Sequence, residues 1–374
     1  MIDLSDLKII DHHAHALFHE AVWRSTPLEA YLSEAYDPVM LDKFVPHNVF
    51  ALRSYRELAG FYGCEPTRQA VLEARAKWDY STLCRTMLAQ SGIEEIYVDD
   101  GIWLDQMQPL DQNMVSIGVP CKRVLRLETE LANLIVRHDS YADVLTAFER
   151  HLYALAPTLI GFKSIIAYRS GLEVMQPTPN QAEAAFTAFR RGLSPTEIAP
   201  RVADKVLLDS ALWVGLRVAA ETGLPIQFHT AYGDPDLDLR LANPLHLRGI
   251  LESPELRGLR LVMLHCYPFM REAGYLASVY SSAYLDIGLT IPYLSTHAMR
   301  TSILEALHLA PISKVLFSTD ASRTPELFWL AARHGRRMVA AALEQMVADT
   351  DLTTLEAQWA AERILRGNSL ELYR

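Results

Sequence analysis

Three histidines fall within four positions near the start of the chain, directly after an apolar run. The stretch KIIDHHAHAL contains them as His12, His13 and His15. Side chains two positions apart on a β-strand share a face, so His13 and His15 are expected to point the same way and His12 the other way. Imidazole nitrogens are common zinc ligands, and the pair therefore indicates half of a metal site. The alternative is a polar loop after a strand.

Further ligand-type residues end apolar runs much later in the chain. His229 ends PIQFHT, His265 lies at the end of RLVMLHC, and Asp320 lies in KVLFSTDA. In a parallel barrel the carboxyl ends of the strands meet at one rim, so these side chains would converge with the first histidines. They could then hold a divalent metal with an open position for water, whose proton the Asp could accept. Taken singly, His265 could be a core histidine and Asp320 a helix N-cap.

The apolar run LIGFKSII contains Lys163, and burying an ammonium group is costly unless its charge is neutralised or paired. Three roles remain open for Lys163: a carboxylated lysine that bridges two metals, a cation that orients substrate or a carboxylate, or a side chain that reaches past the strand end into solvent. Arg169 follows this run, and its planar fork suits a substrate carboxylate, with a surface ion pair as the alternative. Tyr168 would line the same wall.

Short β-rich runs alternate with helical segments along the whole chain. The runs are LKII before the histidines, Ile93–Gly101, Cys121–Glu128, Leu159–Ile166, Pro225–Thr230, Arg260–Cys266, Ala283–Leu289 and Lys314–Ala321. This alternation predicts an α/β protein whose parallel sheet closes into a (β/α)₈ TIM barrel. An open doubly wound sheet is the alternative, and it is disfavoured because no GxGxxG follows the first run.

Residues 17–90 separate the first two β runs, which is far longer than a barrel loop requires. Helical spacing in PTRQAVLEARAKWDYSTLCRTMLAQSG predicts a helical insertion at the carboxyl-terminal rim, where it can cap a pocket. A smaller excursion at residues 170–200 is expected to add to that cap. We therefore predict a single domain over residues 1–374, with 17–90 as a cap subdomain.

The composition excludes several classes of protein. Apolar residues make up 50% of the 374 residues, charged residues 21%, and the net charge is −10. A core of good size is expected, whereas general nucleic-acid binding would need a basic footprint. No apolar run approaches the ~18 residues of a membrane span, and neither a signal peptide nor a disulfide framework is visible. The expected protein is cytoplasmic and acts on a small molecule, without nucleic acid or membrane as partners. A homodimer is a common state of such barrels, although no stretch marks an interface.

Six motifs occur in the order expected of the amidohydrolase superfamily. They are DHHAHAL, GFKSIIAYRSGL, FHTAYGD, LHCYPF, YLDIGL and VLFSTDAS. The chain most resembles the amidohydrolase-2 branch of that superfamily. GFKSIIAYRSGL and STDASRTPELFWL resemble the amidohydrolase-like half of FluG and of nodulin–glutamine synthetase fusion proteins.

The resemblance implies a TIM barrel that holds one or two divalent metal ions, usually zinc. The ligands that it implies are His13, His15, His229 and Asp320. Asp320 would also accept a proton, and His265 would bind a second metal or polarise the substrate. Members with two metals use a carboxylated lysine, and Lys163 lies in the right strand for that role.

The predicted function is that of a metal-dependent hydrolase. A metal-activated water would cleave a C–N bond, such as a γ-glutamyl amide bond, in a small carboxylate-bearing substrate. Asp320 would take the proton, His265 would stabilise the developing oxyanion together with the metal, and Arg169 would hold the carboxylate. A mononuclear non-oxidative decarboxylase of the same branch and a non-catalytic metal-binding scaffold are the alternatives.

Overall fold

The computed structural model describes residues 2–194 and 196–374, and its strands form one parallel sheet in which each strand pairs with the next in sequence. The eight strands are β1 (Ile9–Ala14), β2 (Ile93–Asp99), β3 (Cys121–Arg126), β4 (Gly161–Ser164), β5 (Ile226–His229), β6 (Leu261–Leu264), β7 (Ala283–Asp286) and β8 (Val315–Leu316). The predicted (β/α)₈ barrel is confirmed. None of the helices in these ranges combines the length and the apolarity needed to cross a membrane.

Helices connect the strands. From β1 to β2 come α1 (Glu20–Ser25), α2 (Val49–Tyr62), α3 (Arg68–Lys77) and α4 (Tyr80–Ser91). From β2 to β4 come α5 (Leu110–Ile117), α6 (Leu127–Ile135) and α7 (Tyr141–Leu155). From β4 to β6 come α8 (Pro179–Gly192), α9 (Lys205–Thr222) and α10 (Arg248–Leu251). From β6 to β8 come α11 (Met270–Val279), α12 (Thr290–Tyr293) and α13 (Thr296–Leu307), and after β8 come α14 (Pro325–Ala348), α15 (Thr354–Glu362) and α16 (Asn368–Leu372).

The first and last strands meet at the carboxyl-terminal rim of the barrel. The backbone N–H of Asp320 donates to the carbonyl oxygen of His13 at 3.0 Å, and the N–H of His15 donates to that of Ala321 at 2.9 Å. These bonds join the two segments that carry predicted ligands. Backbone pairing therefore fixes the relative positions of His13, His15 and Asp320.

A bulge interrupts β1 between Asp11 and Ala14, where His12 and His13 lie. Asp11 pairs with Ile96 and Ala14 pairs with Val98, so three steps of β1 lie opposite two of β2. Strict alternation predicted that the His12 side chain points away from that of His13, but Nδ1 of each ring faces the amide of Gln227, at 3.5 Å for His12 and 2.8 Å for His13. The structure differs from the expectation because the extra residue breaks the period of two on which it rested.

The long connection from β1 to β2 has two parts. Helix α4 packs against α14 and occupies the place of the barrel helix between β1 and β2. It ends at Gly92 with a φ of +68°, where any other residue would be strained and its Cβ would collide with Arg336. The chain before α4 brings Ser33, Glu34 and Tyr36 to the cavity described below. This part of the chain therefore reaches the mouth of the barrel.

A buried ion pair fastens this connection to the barrel. Arg75 of α3 lies 2.6 Å (Nε–Oε1) from Glu326 of α14, and their side chains are only 8% and 1% exposed. The guanidinium of Arg75 also lies 3.9 Å from the ring centroid of Trp23. Removing one charge from such a pair leaves the other buried and unpaired.

We expect Arg75→Met to lower the free energy of unfolding by about 3–5 kcal/mol, because Glu326 keeps its burial and loses its partner. Urea denaturation measures this. The control is Arg248→Gln, which removes an exposed pair with Glu252 and should leave the free energy of unfolding almost unchanged, because solvent screens exposed ion pairs. Equal losses in the two variants would contradict the importance of the buried pair.

Candidate active site

A cavity of about 320 Å³ opens at the carboxyl-terminal rim of the barrel. The sequence-predicted residues that line it are His13, His15, Lys163, Tyr168, Arg169, His229 and Asp320. His265 is fully buried beside them, with its ring centroid 5.8 Å from that of His13 and 4.7 Å from that of His229. The fold therefore brings the predicted site residues into one region.

Asp320 lies at the centre of the cluster. Its Oδ1 is 3.2 Å from Nε2 of His13 and 3.4 Å from Nε2 of His15. Its Oδ2 is 3.8 Å from Nε2 of His265. Ligand atoms of His13, His265 and Asp320 all lie within 4.8 Å of one another, which is a spacing that a single ion can satisfy.

The hydrogen bonds of His13 and His15 fix where their lone pairs point. Nδ1 of His13 donates to Oε1 of Gln227 at 2.8 Å, and Nδ1 of His15 donates to the carbonyl oxygen of Asp99 at 2.9 Å. The amide orientation of Gln227 is set because its NH₂ group donates to the His12 carbonyl oxygen at 2.7 Å. In the neutral rings each Nε2 therefore carries a lone pair that faces a carboxylate oxygen of Asp320.

Such facing acceptors repel one another unless a cation lies between them. Asp320 Oδ1 and both ring nitrogens of His265 are buried and without hydrogen-bond partners among the described residues. Unsatisfied buried polar atoms are rare in folded proteins and indicate a missing ion or ligand. Imidazole nitrogens with a carboxylate are also the donor set that zinc and similar ions prefer. These residues fit a divalent metal.

Electrostatics keep the cluster ready to bind a cation. Burial and the neighbouring Lys163 lower the pKa of His13 to about 4, and burial lowers the pKa of His265 well below its usual value. Burial alone would raise the pKa of Asp320, but His265, His13 and His15 outweigh it and hold that pKa well below its usual value. At neutral pH His13 and His265 are therefore uncharged and Asp320 is ionised.

Backbone strain occurs at two of these residues. Asp320 has a φ of +49° and His265 a φ of +72°, which is a left-handed conformation that side-chain-bearing residues seldom adopt. Such strain costs about 1–3 kcal/mol per residue and tends to concentrate at functional sites. His265 directly follows β6, and Asp320 lies four positions after the end of β8, so both strained residues lie at the carboxyl-terminal rim.

Lys163 is 2% exposed, and its Nζ lies 3.3 Å from Nε2 of His13. Burial lowers the pKa of Lys163 to about 8, although Asp99 and Asp320 act in the opposite direction. The amine therefore has an appreciable neutral fraction near neutral pH. The side chain of Lys163 is buried, so it does not reach into solvent as one of the three sequence-based alternatives proposed.

His229 belongs to the site but not to the tight cluster. Its Nε2 donates to the carbonyl oxygen of Tyr232 at 3.1 Å, and its ring packs on Tyr168 with centroids 4.3 Å apart. Its Nδ1 is the nitrogen that remains for an ion. The predicted ligand role of His229 stays a prediction.

Sequence reasoning missed Asp99 and Arg126, at the ends of β2 and β3. Nε and Nη2 of Arg126 donate to the Asp99 carboxylate at 3.0 and 2.6 Å. Burial would raise the pKa of Asp99, but Arg126 holds it below its usual value. Asp99 also lies close to His13 and His15. Its ionised carboxylate is already paired with the Arg126 guanidinium, which makes it a poorer ligand than Asp320. Their positions at strand ends could have revealed both.

A polar network beneath the cluster was also missed. The Gln227 amide donates to the hydroxyl of Tyr373 at 2.7 Å, and that hydroxyl donates to Nδ1 of His12 at 3.2 Å. Nε2 of His12 then donates to Oδ1 of Asp286, whose Oδ2 accepts from the backbone N–H of His265, both at 3.2 Å. The network thus connects the supports of His13 and His265. The signal in the sequence was Gln227 itself, a polar residue inside an apolar strand.

Comparison with known proteins agrees with this geometry. The model of a family described as Amidohydrolase, the amidohydrolase-2 branch, matches residues 169–374, which is more than half of the chain. The chain belongs to the amidohydrolase family. Members are metal-dependent enzymes, and the candidate metal-binding residues of this amidohydrolase are those of the cluster above.

The amidohydrolase is 31% identical to the FluG protein of Emericella nidulans, over 98% of this chain and 45% of FluG. It therefore spans about half the length of that curated relative. A solved structure from Lactobacillus casei, provisionally described as a metal-dependent hydrolase, superposes with a TM-score of 0.86 at 30% identity and covers 100% of this chain and 98% of its own. A uronate isomerase from Thermotoga maritima matches with a TM-score of 0.68 at 14% identity over 99% and 95% of the two chains, which shows a shared fold alone.

We expect Gln227→Met to weaken the binding of a divalent metal ion by about 10- to 100-fold, because the residue that orients a ligand histidine tunes metal affinity. Competition with a chromophoric chelator measures the affinity. Gln69→Met is the matched control, since Gln69 lies exposed on α3 and only donates to Glu73. An affinity within twofold of the wild type in a folded Gln227 variant would show that His13 needs no such support.

Proposed function

We propose that this amidohydrolase hydrolyses a C–N bond in a small carboxylate-bearing amide, with γ-glutamyl amides as the leading class and zinc as the metal. The observation that carries the proposal is the convergence of the His13, His15 and Asp320 acceptor atoms at a cavity that also contains Arg169, for which the described residues offer no ion-pair partner within 4 Å. His13, His15, His265 and Asp320 would hold the ion, with His229 nearby. A divalent ion there lowers the pKa of a water toward neutrality and polarises a carbonyl group.

The residues of the chain handle the protons. Water attacks the amide carbon, forming a C–O bond, and the C–N bond breaks to give a carboxylic acid and an amine. Asp320 is ionised at neutral pH because His265, His13 and His15 hold its pKa low. It can therefore accept the proton of the attacking water and return one to the leaving nitrogen. His265, uncharged and without hydrogen bonds to its ring, would bind a second ion or polarise the carbonyl oxygen.

Lys163 is proposed to determine whether one or two ions bind. A neutral lysine amine can add CO₂, which forms an N–C bond, releases a proton and creates a carboxylate ligand. The pKa of Lys163, lowered by burial to about 8, favours this reaction relative to an ordinary lysine. Unmodified Lys163 would correspond to a single-metal site.

Arg169 is the proposed partner of the substrate carboxylate. It lines the cavity and forms no ion pair within 4 Å among the described residues. Within the described part of the chain, the one hydrogen bond of its guanidinium is a long one, 3.5 Å, to the carbonyl oxygen of Tyr168. The fork of an arginine matches a carboxylate in two-point contact. Because it lacks a carboxylate partner among the described residues, the Arg169 guanidinium is available to a ligand.

The test of the proposal combines metal content per chain, intact mass and an amide library, using protein purified without chelator. We expect one or two metal ions, an added CO₂ on Lys163 in the two-metal form, and cleavage of γ-glutamyl amides. Decarboxylation of aromatic or dienoic acids without amide cleavage would show that the protein is a non-oxidative decarboxylase rather than a hydrolase. Failure to take up any metal would overturn the proposed function.

We expect Asp320→Asn to reduce kcat at least about 100-fold, because the variant loses the proton acceptor. Activity is measured after zinc loading, together with metal content, because Asp320 is also a proposed ligand. The matched control, Asp351→Asn, alters an exposed residue between α14 and α15 and should keep wild-type activity. Unchanged turnover in a zinc-loaded Asp320 variant would contradict the proton role.

We expect Arg169→Met to raise KM for carboxylate-bearing amides by about 10- to 100-fold with a smaller change in kcat, because a charge-assisted hydrogen bond contributes about 1.5–3 kcal/mol. Steady-state kinetics on an amide and on its uncharged methyl ester separate the two effects. Arg191→Met, an exposed change on α8, is the control. Equal KM changes for the amide and its ester would contradict the proposal that Arg169 binds the substrate carboxylate.

A further inference from the structure

The cavity wall carries acidic residues in addition to the metal cluster, and most of them already have partners. Asp234 accepts a hydrogen bond from the hydroxyl of Tyr36. Asp236 forms an ion pair with Arg201 at 2.9 Å. These carboxylates are therefore committed within the protein, and Glu34 is the exception.

Glu34 lines the same cavity and makes no ion pair within 4 Å among the described residues. The hydroxyl of Tyr293 interacts with it, but that hydroxyl donates its proton to the carbonyl oxygen of Tyr31 at 3.2 Å. A carboxylate in a recessed position needs a cation or hydrogen-bond donors to offset the loss of water. Among the described residues Glu34 has no cation within ion-pair distance, and the Tyr293 hydroxyl, which the Tyr31 carbonyl oxygen also engages, is the side-chain donor beside it.

The charges around Glu34 further disfavour its ionised form. Asp320 and Asp234 are close enough to repel it, and Arg323 attracts it only from beyond ion-pair distance. Burial, opposed in part by Arg323, raises the pKa of Glu34 above its usual value. A ligand that carries a positive charge would relieve both the burial and the repulsion.

The cavity also contains uncommitted cations. The guanidinium of Arg323 lies 5.0 Å from the ring centroid of Trp103 and forms no ion pair within 4 Å in the described ranges. Arg169 likewise forms no ion pair within 4 Å with the residues that the structure describes. The cavity thus offers an acidic group and guanidinium groups at once, and a ligand with both an ammonium and a carboxylate complements that set.

We propose that Glu34 binds an ammonium group of the substrate, so that the enzyme selects amides of amino acids with a free ammonium and a free carboxylate over amides of simple dicarboxylic acids. This proposal rests on the proposed function, whose substrate class it narrows. It also assigns the specificity for the positive charge to the segment between β1 and β2, whereas the reacting groups lie on the barrel strands.

The test compares L-glutamate with glutarate, which differ only in the α-ammonium group. Calorimetric titration of the zinc-loaded full chain should show L-glutamate binding at least about 10-fold more tightly than glutarate. Glu34→Gln, which keeps the shape and removes the charge, should abolish this preference while glutarate binding stays within a few-fold. Glu73→Gln makes the same chemical change on an exposed face of α3 and should retain the preference.

Equal binding of the two ligands by the wild type, an unchanged preference in Glu34→Gln, or binding of neither ligand at millimolar concentration would overturn the proposal. Hydrolysis of γ-glutamyl and glutaryl p-nitroanilide separates it from the proposed function. If both anilides are cleaved equally, the ammonium site fails and amide hydrolysis stands. If neither is cleaved while the binding preference depends on Glu34, amide hydrolysis fails and the ammonium site stands.

Discussion

The backbone hydrogen bond between Asp320 and His13 is the contact on which the site depends. It closes the ring of strands where the carboxylate and the first imidazole must meet. Because both atoms of this bond belong to the main chain, the two side chains inherit a fixed separation. The left-handed conformations of Asp320 and His265 persist because the surrounding pairing determines them.

A polar network lies inside the barrel below the site, alongside the branched apolar side chains that usually fill a barrel interior, here Ile10, Val124, Val262, Leu264 and Leu316. Gln227, Tyr373, His12 and Asp286 form a connected set of hydrogen bonds there. A buried network of this kind is stabilising only when its members are satisfied. Here the donors and acceptors match one another along the chain of contacts, and the unmatched atoms lie above it, where an ion fits. Hydrogen bonding is thus complete below the site and incomplete within it, and this contrast defines the site.

The sequence predicted the barrel from the alternation of β runs and helices, and it predicted the cluster from what each run ends with. Both inferences use short-range patterns. The orientation of His12 was wrong because a single extra residue in β1 shifts the alternation. The pairing of Asp99 with Arg126 lies between neighbouring strands, and no spacing along the chain records it. Glu34 was missed because it lies in an irregular stretch between α1 and α2, where no periodic pattern predicts which side chains reach the cavity.

The joining of the two ends of the barrel has a consequence for how the protein is made. Asp11 and Thr319, which hydrogen-bond beside the closure, are 308 positions apart, and the entropy lost in closing so long a loop is regained only when the last strand docks. During synthesis the histidines of β1 emerge first, and they remain without Asp320 until nearly the whole chain has left the ribosome. The nascent chain therefore has no complete ligand set with which to capture an ion until Asp320 has emerged, so metal loading must follow the synthesis of the last strand.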